Sequence, residues 1–394
     1  MVPNGWENHC IDDNISFSGG SQPPREVFAQ EKKEGYVRLI QIRDYKSDRF
    51  ATYIPKDLAK KFCSASDVMI GRYGPPIFQI LRGLEGAYNV ALIKASPKEG
   101  VDKEYIFQFL SMEPLLRVIE SHSRRTSGQT GIEMDVLKSY PMPLPPHPEQ
   151  KKIAKILSTW DKAIFTTEQL LANAQNQKSA LMQQLLTGKK RLLDKNGVKF
   201  GGEWAWLRAS DVFKTVSKKN NSDSEELLAV TQDQGVLPRS LLERRVVMPD
   251  GSTSGYKLVV PGNFIISLRS FQGGLEYSNY RGLVSPAYTV LESIKEIDEE
   301  FYKQYYKSYD FIGHLAVAVI GIRDGKQISY SDFSFLKIPY PTIEEQRKIA
   351  AVLSTADNEI TTLQQKLDAL KQEKKALMQQ LLTGKRRVKV EATA

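Results

Sequence analysis

The sequence has only two cysteines, Cys10 and Cys63, among 394 residues. Two thiols so spaced make neither a disulfide framework nor a metal-ligand array, and a reducing cytoplasm fits them. Histidine is as scarce. His9, His122, His147 and His314 are scattered, with no His-Glu-x-x-His and no Cys/His cluster, so no metal site is expected. Phosphate loops are missing too: Gly188-Lys189-Lys190, Gly325-Lys326-Gln327 and Gly384-Lys385-Arg386 lack the rest of G-x-x-x-x-G-K-[ST], and no G-x-G-x-x-G follows a strand. There is no Asn-Pro-Pro-Tyr methyltransferase motif. The longest nearly uncharged apolar run, His314 to Ile322, is far shorter than the ~20 residues a bilayer needs. Met1 to Trp6 has no charged n-region leading to an apolar h-region, so no signal peptide is expected. These absences leave catalysis without a candidate residue.

What is present is an ordinary globular composition, 41% hydrophobic and 26% charged, with a net charge of +9. A basic balance suggests a polyanionic partner. Its location is informative. Residues 1–142 carry 19 basic against 18 acidic side chains, and 196–336 carry 16 against 17. The excess lies in 143–195, with 9 against 4, and in 337–394, with 11 against 7. Any DNA contact by the two large regions must therefore use local basic patches.

One repeat dominates the chain. Glu149-Gln150-Lys151-Lys152-Ile153-Ala154 returns as Glu345-Gln346-Arg347-Lys348-Ile349-Ala350, and Ala180 to Lys189 returns unchanged as Ala376 to Lys385. The offset is 196 without a gap, and 27 of the 49 positions in 143–191 are identical to their copies. Fainter echoes extend outward: Trp6 and Asp13 with Trp204 and Asp211, and Tyr105-Ile106-Phe107-Gln108 with Phe301-Tyr302-Lys303-Gln304. The chain reads as one unit of about 197 residues used twice.

Each stereotyped segment reads as a long helix. Prolines crowd its start, from Pro141 to Pro148 and at Pro339 and Pro341, and Gly188 and Gly384 stand where a left-handed cap would end it. Between them runs a heptad seam: Ile153, Leu157, Trp160, Ile164, Thr167, Leu171, Ala174, Lys178, Leu181 and Leu185, then Ile349, Leu353, Ala356, Ile360, Leu363, Leu367, Leu370, Lys374, Leu377 and Leu381. About 38 residues span ~57 Å. The copies can pair with each other, and a duplicated chain tends toward pseudo-twofold packing, which makes them antiparallel. Lys178 and Lys374 occupy one register of the seam, either fixing that register or reaching past it to water.

The remaining regions read as mixed α and β. Strand-like runs are Val37 to Ile42, Asp67 to Ile70, Val90 to Ile93, Tyr256 to Val260, Phe264 to Leu268 and Tyr288 to Leu291, with helical patterns at Lys103 to Ser121 and Asp298 to Ser308. The expected fold is α+β: two mixed α/β recognition domains, 1–142 and 193–337, related by pseudo-twofold symmetry. They are separated by a pair of long antiparallel coiled-coil helices in 143–192 and 338–388, with a tail at 389–394. Loops supply the candidate DNA contacts. Arg72 and Tyr73 follow a strand, and Arg269 and Gln272 hold the matching place in the second copy. Arg124, Arg125 and Gln129 precede the first long helix, and Arg323, Lys326 and Gln327 the second, while Arg43 and Lys46 form a further cluster. Arginine and glutamine make bidentate base contacts, lysines hold phosphates, and glycine lets the backbone approach. Two other classes stay open on residues alone: a coiled-coil scaffold without a DNA role, and a self-contained DNA methyltransferase or nuclease.

Pro143-x-Pro145 through Glu149-Gln150-Lys151-Lys152-Ile153-Ala154, Leu181-Met182-Gln183-Gln184-Leu185-Leu186-Thr187-Gly188-Lys189, and their copies up to Lys385 carry a resemblance. The layout resembles the specificity subunit of type I restriction–modification systems, strongly in the helices and weakly in the lobes. One departure is a start almost at Trp6, without an N-terminal extension. The resemblance implies a non-catalytic subunit whose two domains each read half of an asymmetric, interrupted duplex site. It also implies two modification subunits docked on the helical region, and restriction subunits joining them. No cofactor is expected in this chain; S-adenosylmethionine, ATP and magnesium belong to those partners.

Overall fold

The computed structural model describes residues 3–126, 129–219, 225–232, 234–242, 253–268, 270–318 and 328–390, with backbone alone at 124–126, 129–130, 271 and 318. The chain forms two compact units, Met1–Glu168 with Lys366–Ala394, and Gln169–Gln365.

In the first unit a four-stranded antiparallel sheet runs Ile15–Gly19, Leu92–Pro97, Val68–Gly71, Gln79–Leu81. Its inner strand Val68–Gly71 is buried throughout, which is why it reads as an unbroken apolar run without alternation. A second sheet orders Tyr53–Pro55, Tyr36–Ile40, Gly86–Tyr88 and Phe62–Cys63, with the middle pair parallel. Glu7–Cys10 pairs antiparallel with Pro141–Leu144. The strand expected at Val90 to Ile93 instead begins at Leu92, because Asn89 turns the chain: its side chain accepts from Ala91 N and its carbonyl from Leu92 N. The helix expected over Lys103 to Ser121 is two, Lys103–Leu110 and Glu113–Ser121. Pro114 cannot continue an earlier turn and instead opens the second helix.

The second unit repeats the first sheet's order with Phe213–Val216, Thr289–Ser293, Phe264–Ile266 and Glu276–Tyr277. Ala205–Arg208 pairs with Lys337–Tyr340 as Glu7–Cys10 does with Pro141–Leu144. Two further ribbons join Leu228–Thr231 to Gly235–Pro238 and Lys257–Val259 to Gly282–Val284. Its core is aromatic: Phe213 meets Phe264 and Tyr302 edge-on, with centroids 5.6 and 5.3 Å apart.

The long helices are His147–Leu185 and Ile343–Leu381, 39 residues each. Both end as their glycines predict. Gly188 has φ +71° and Gly384 +72°, and the chain closes with Lys190 N donating to Gln184 O and Arg386 N to Gln380 O, each at 3.0 Å. Space adds to this: a Cβ at Gly188 would press on the Trp204 ring at 3.2 Å, and one at Gly384 would clash with Pro3 at 2.3 Å. Every seam position named above is buried or half-buried. Ile153, Leu157 and Leu381 enter the first unit's core, and Leu185, Ile349 and Leu353 the second's. None of the described helices is long and apolar enough to cross a membrane.

Candidate nucleic-acid interface

In the first unit three of the sequence clusters come together. Arg72 leaves the inner strand with its N–H donating to Ala91 O, and its carbonyl accepts from Ile132 N at 3.2 Å. Tyr73 bridges to Gly131, the last residue of the hairpin Arg124–Thr126 and Gln129–Gly131. The loop at 71–74 and the hairpin carrying Arg124, Arg125 and Gln129 are therefore neighbours; the side chains of those three lie outside the described residues. Arg72 lies over Tyr73, its guanidinium carbon 5.3 Å from the ring centroid. Gly74 has φ +150°, and a Cβ there would meet Pro76 O at 2.5 Å, so the turn that presents Tyr73 requires glycine. Ile42 packs against Gly71, bringing the third cluster alongside.

That cluster is a tight turn, Ile42–Tyr45, capped by Asp44, which accepts from Gln41 N at 2.9 Å. Burial raises the Asp44 carboxyl above its usual range against that hydrogen bond and the pull of Arg38 and Arg43. Arg43 lies over Phe50 at 5.7 Å and Arg49 at 5.2 Å, and Lys46 is exposed beside them. Phe50 is 52% exposed and went unmarked in the sequence reading. An aromatic directly after Arg49, at a turn with nothing to pack under, was the available signal. Other basic residues are already engaged: Lys94 and Lys103 with Asp67, Arg38 with Asp48, Arg82 with Glu104.

In the second unit Gln272 is exposed on a short helix, Ser270–Gly273, where the sequence suggested a loop. Ser270 makes the helix by closing onto Ser267 N at 2.8 Å, and Lys307 caps the end by donating to Gly273 O. Arg269, Arg323, Lys326 and Gln327 lie outside the described residues.

The lobes are tied to the helices by two joints that sequence reading did not assemble, each occurring in both units. In one, Trp6 Nε1 donates to Glu149 Oε2 at 3.1 Å, and Arg387 grips both Glu149 oxygens at 2.7 and 2.8 Å. Its counterpart joins Trp204 Nε1 to Glu345 at 2.9 Å and Arg191 to both Glu345 oxygens at 2.6 and 2.7 Å. Both carboxylates are buried. In the other, Asp161 accepts Gln108 Nε2 at 2.7 Å and Lys374 Nζ at 2.6 Å, while Asp357 accepts Gln304 Nε2 at 2.7 Å and Lys178 Nζ at 2.5 Å. The seam lysines thus end on carboxylates of the opposite helix. The offset of 196 was the usable clue, but each residue alone looks like a solvated polar side chain. A cavity of about 510 Å³ borders the second of these joints, lined by acid and base alike, Glu276, Glu300, Lys303 and Lys307 among them. Among the described residues no cluster of three His, Cys, Asp or Glu could hold a metal.

Two lobes that share one sheet order, each carried on the same repeated joints, define a protein built twice. The type I restriction modification DNA specificity domain matches at residues 3–176 and again at 189–372, and the chain belongs to that family. Proteins of this family are the non-catalytic specificity subunits of type I restriction systems, so this is a DNA-recognition subunit and not an enzyme. Over 98% of its length it is 26% identical to the MjaVIII specificity subunit of Methanocaldococcus jannaschii, covering 94% of that protein. It is equally identical to the putative MjaX specificity subunit of that organism, over 98% of this chain and 95% of the other. The fold is similar to the type I S subunit of M. genitalium, with a TM-score of 0.59, 13% identity and 97% and 98% of the two chains covered.

Proposed function

We propose that each lobe reads one half of an asymmetric, interrupted duplex site in the cytoplasm. In this reading the two long helices pair as an antiparallel coiled coil with pseudo-twofold symmetry and set the gap between half-sites. The observation that carries it is the recurrence of both joints at the same offset: each lobe is fixed to its helices by the same atoms, so the two readers are held in equivalent ways. In the first lobe Arg72, Tyr73, Arg124, Arg125 and Gln129 meet the bases and nearby phosphates, with Arg43 and Lys46 on the backbone. Arg269, Gln272, Arg323, Lys326 and Gln327 do so in the second. Readers on one face of the duplex need half-sites about one helical turn apart, ~10–10.5 bp.

Modification subunits, which bring S-adenosylmethionine, dock on the helical region, and restriction subunits with ATP and magnesium complete the assembly. The relatives' names support that assignment, since they describe subunits of type I restriction enzymes. The test exchanges residues 1–142 for those of a related subunit of different specificity and sequences the methylated sites in cells. One half-site changes and the other persists; a change in both halves refutes independent reading.

A further inference from the structure

Asp161 lies on the first long helix and joins three elements. One carboxylate oxygen accepts from Gln108 on the lobe helix Lys103–Leu110, and the other from Lys374 on the second long helix. Asp357 does the same for Gln304 on Glu299–Tyr306 and for Lys178. Such a joint is directional where the seam is not. Apolar contacts between leucines are non-directional and tolerate small slips. A hydrogen bond to a carboxylate weakens steeply once a partner moves, and one residue of helix slip is already about 1.5 Å. Because both oxygens are engaged by different elements, neither the helix register nor the seat of the lobe can change without breaking a bond.

We propose that Asp161 and Asp357 are positioning residues for site geometry, locking the seat of each lobe to the helix register. Gap fidelity then resides in these joints while base identity resides in the loops. The inference rests on the bipartite reading proposed above. The two are unequal. The Asp161 and Lys374 side chains are 30% and 15% exposed, against 41% and 20% for Asp357 and Lys178. Asp161 is therefore the more stringent key.

The experiment selects bound duplexes from a library of random 24-base-pair inserts using the full chain with its modification subunits, then sequences them. The wild type returns two fixed blocks at one gap. Asp161→Asn returns the same blocks, with the preference for that gap over its neighbours reduced about tenfold, the low end of what a hydrogen bond to a charged group contributes. Lys374→Met keeps the Gln108 bond and widens the gap distribution less; Lys374→Arg, which still donates to Asp161, restores it. Asp357→Asn has a smaller effect than Asp161→Asn. If the variants only lower the bound yield, with the gap distribution unchanged, the joints merely hold the fold and the proposal is overturned. If the wild type selects no paired blocks, the bipartite reading fails, and the proposal with it.

Discussion

Replacing Arg191 by methionine isolates the joint at Glu345. That carboxylate is fully buried and accepts three hydrogen bonds, two from Arg191 at 2.6 and 2.7 Å and one from Trp204 at 2.9 Å. Arg191→Met removes the cation and both of its bonds but preserves most of the volume. It leaves a buried carboxylate with one neutral donor, which costs about 3–5 kcal/mol. Over a unit of roughly 200 residues each kcal/mol lowers Tm by about 2–4 °C, so a fall of roughly 6–20 °C is expected. Replacing both partners, Arg191→Met with Glu345→Met, returns most of that loss, because an apolar pair has no charge to hydrate; the unmatched Trp204 N–H keeps about 1–2 kcal/mol of it. The equivalent Arg387→Met is milder. The Arg387 side chain is 42% exposed against 16% for Arg191, so water reaches the carboxylate it abandons. Calorimetry gives the total, and hydrogen exchange on peptides from Gln169–Gln365 and from Met1–Glu168 assigns it to a unit. A single-variant loss below about 1 kcal/mol, or a double variant worse than the single, would refute the reasoning, since a buried unpaired carboxylate cannot be that cheap.

Asp67 is half-buried, which raises its pKa, but the Ser64 N–H, Lys103 and Lys94 outweigh this and hold it below its usual value. Its contribution is therefore present above the ordinary aspartate range and lost as pH falls through the lowered folded value; Asp67→Asn flattens the acid limb of stability below about pH 4, read by circular dichroism. Burial pushes the Cys63 thiol up to about 11, whereas Cys10 is half-buried. At pH 8 an aromatic disulfide reagent should label Cys10 first and Cys63 only at the rate of unfolding; equal rates would contradict the burial. Arg72→Ala should relax one position of one half-site by about 1–3 kcal/mol, while Lys46→Ala weakens all duplexes alike and lowers the salt slope by about 0.9, both measured by fluorescence anisotropy across a salt series.

The parts of this fold that sequence revealed are those with local signals. Proline before His147, a heptad through Ile153 to Leu185 and glycine at 188 each act within one or two turns, and the helix they outline is the helix that forms. The sheets were harder. Phe62–Cys63 is two residues long and carries no period, and its partner Gly86–Tyr88 takes its other neighbour, Tyr36–Ile40, in parallel, a pairing no local pattern encodes. The apolar period at 103–121 runs through the break at Ser111, so the stop at Pro114 was read past although the residue announced it. Among the candidate contacts, nearness of Tyr73 to Gly131 depends on a bridge across 58 positions of sequence and could not be seen beforehand.

The two copies also show which contacts bear substitution and which do not. Along the seam Trp160 corresponds to Ala356, Thr167 to Leu363 and Ala174 to Leu370. Apolar packing asks for volume near a place, and neighbours absorb the difference. The joints have no such freedom: Glu149 and Glu345, Gln150 and Gln346, Asp161 and Asp357, Lys178 and Lys374, Arg191 and Arg387 are identical pairs. Each makes a directed bond to a carboxylate, a backbone group or a cation, so a substitute must still donate or accept at the same place. Gln150 and Gln346 show the point most plainly. Each accepts from the N–H of the aspartate that starts its lobe helix, Asp102 or Asp298, at 2.7 and 2.9 Å, and donates to the proline carbonyl before its own helix at 2.9 Å. A polar frame fixed in this way lets the surfaces it carries diverge, because a changed loop at Arg72 or Gln272 does not alter where its lobe is held.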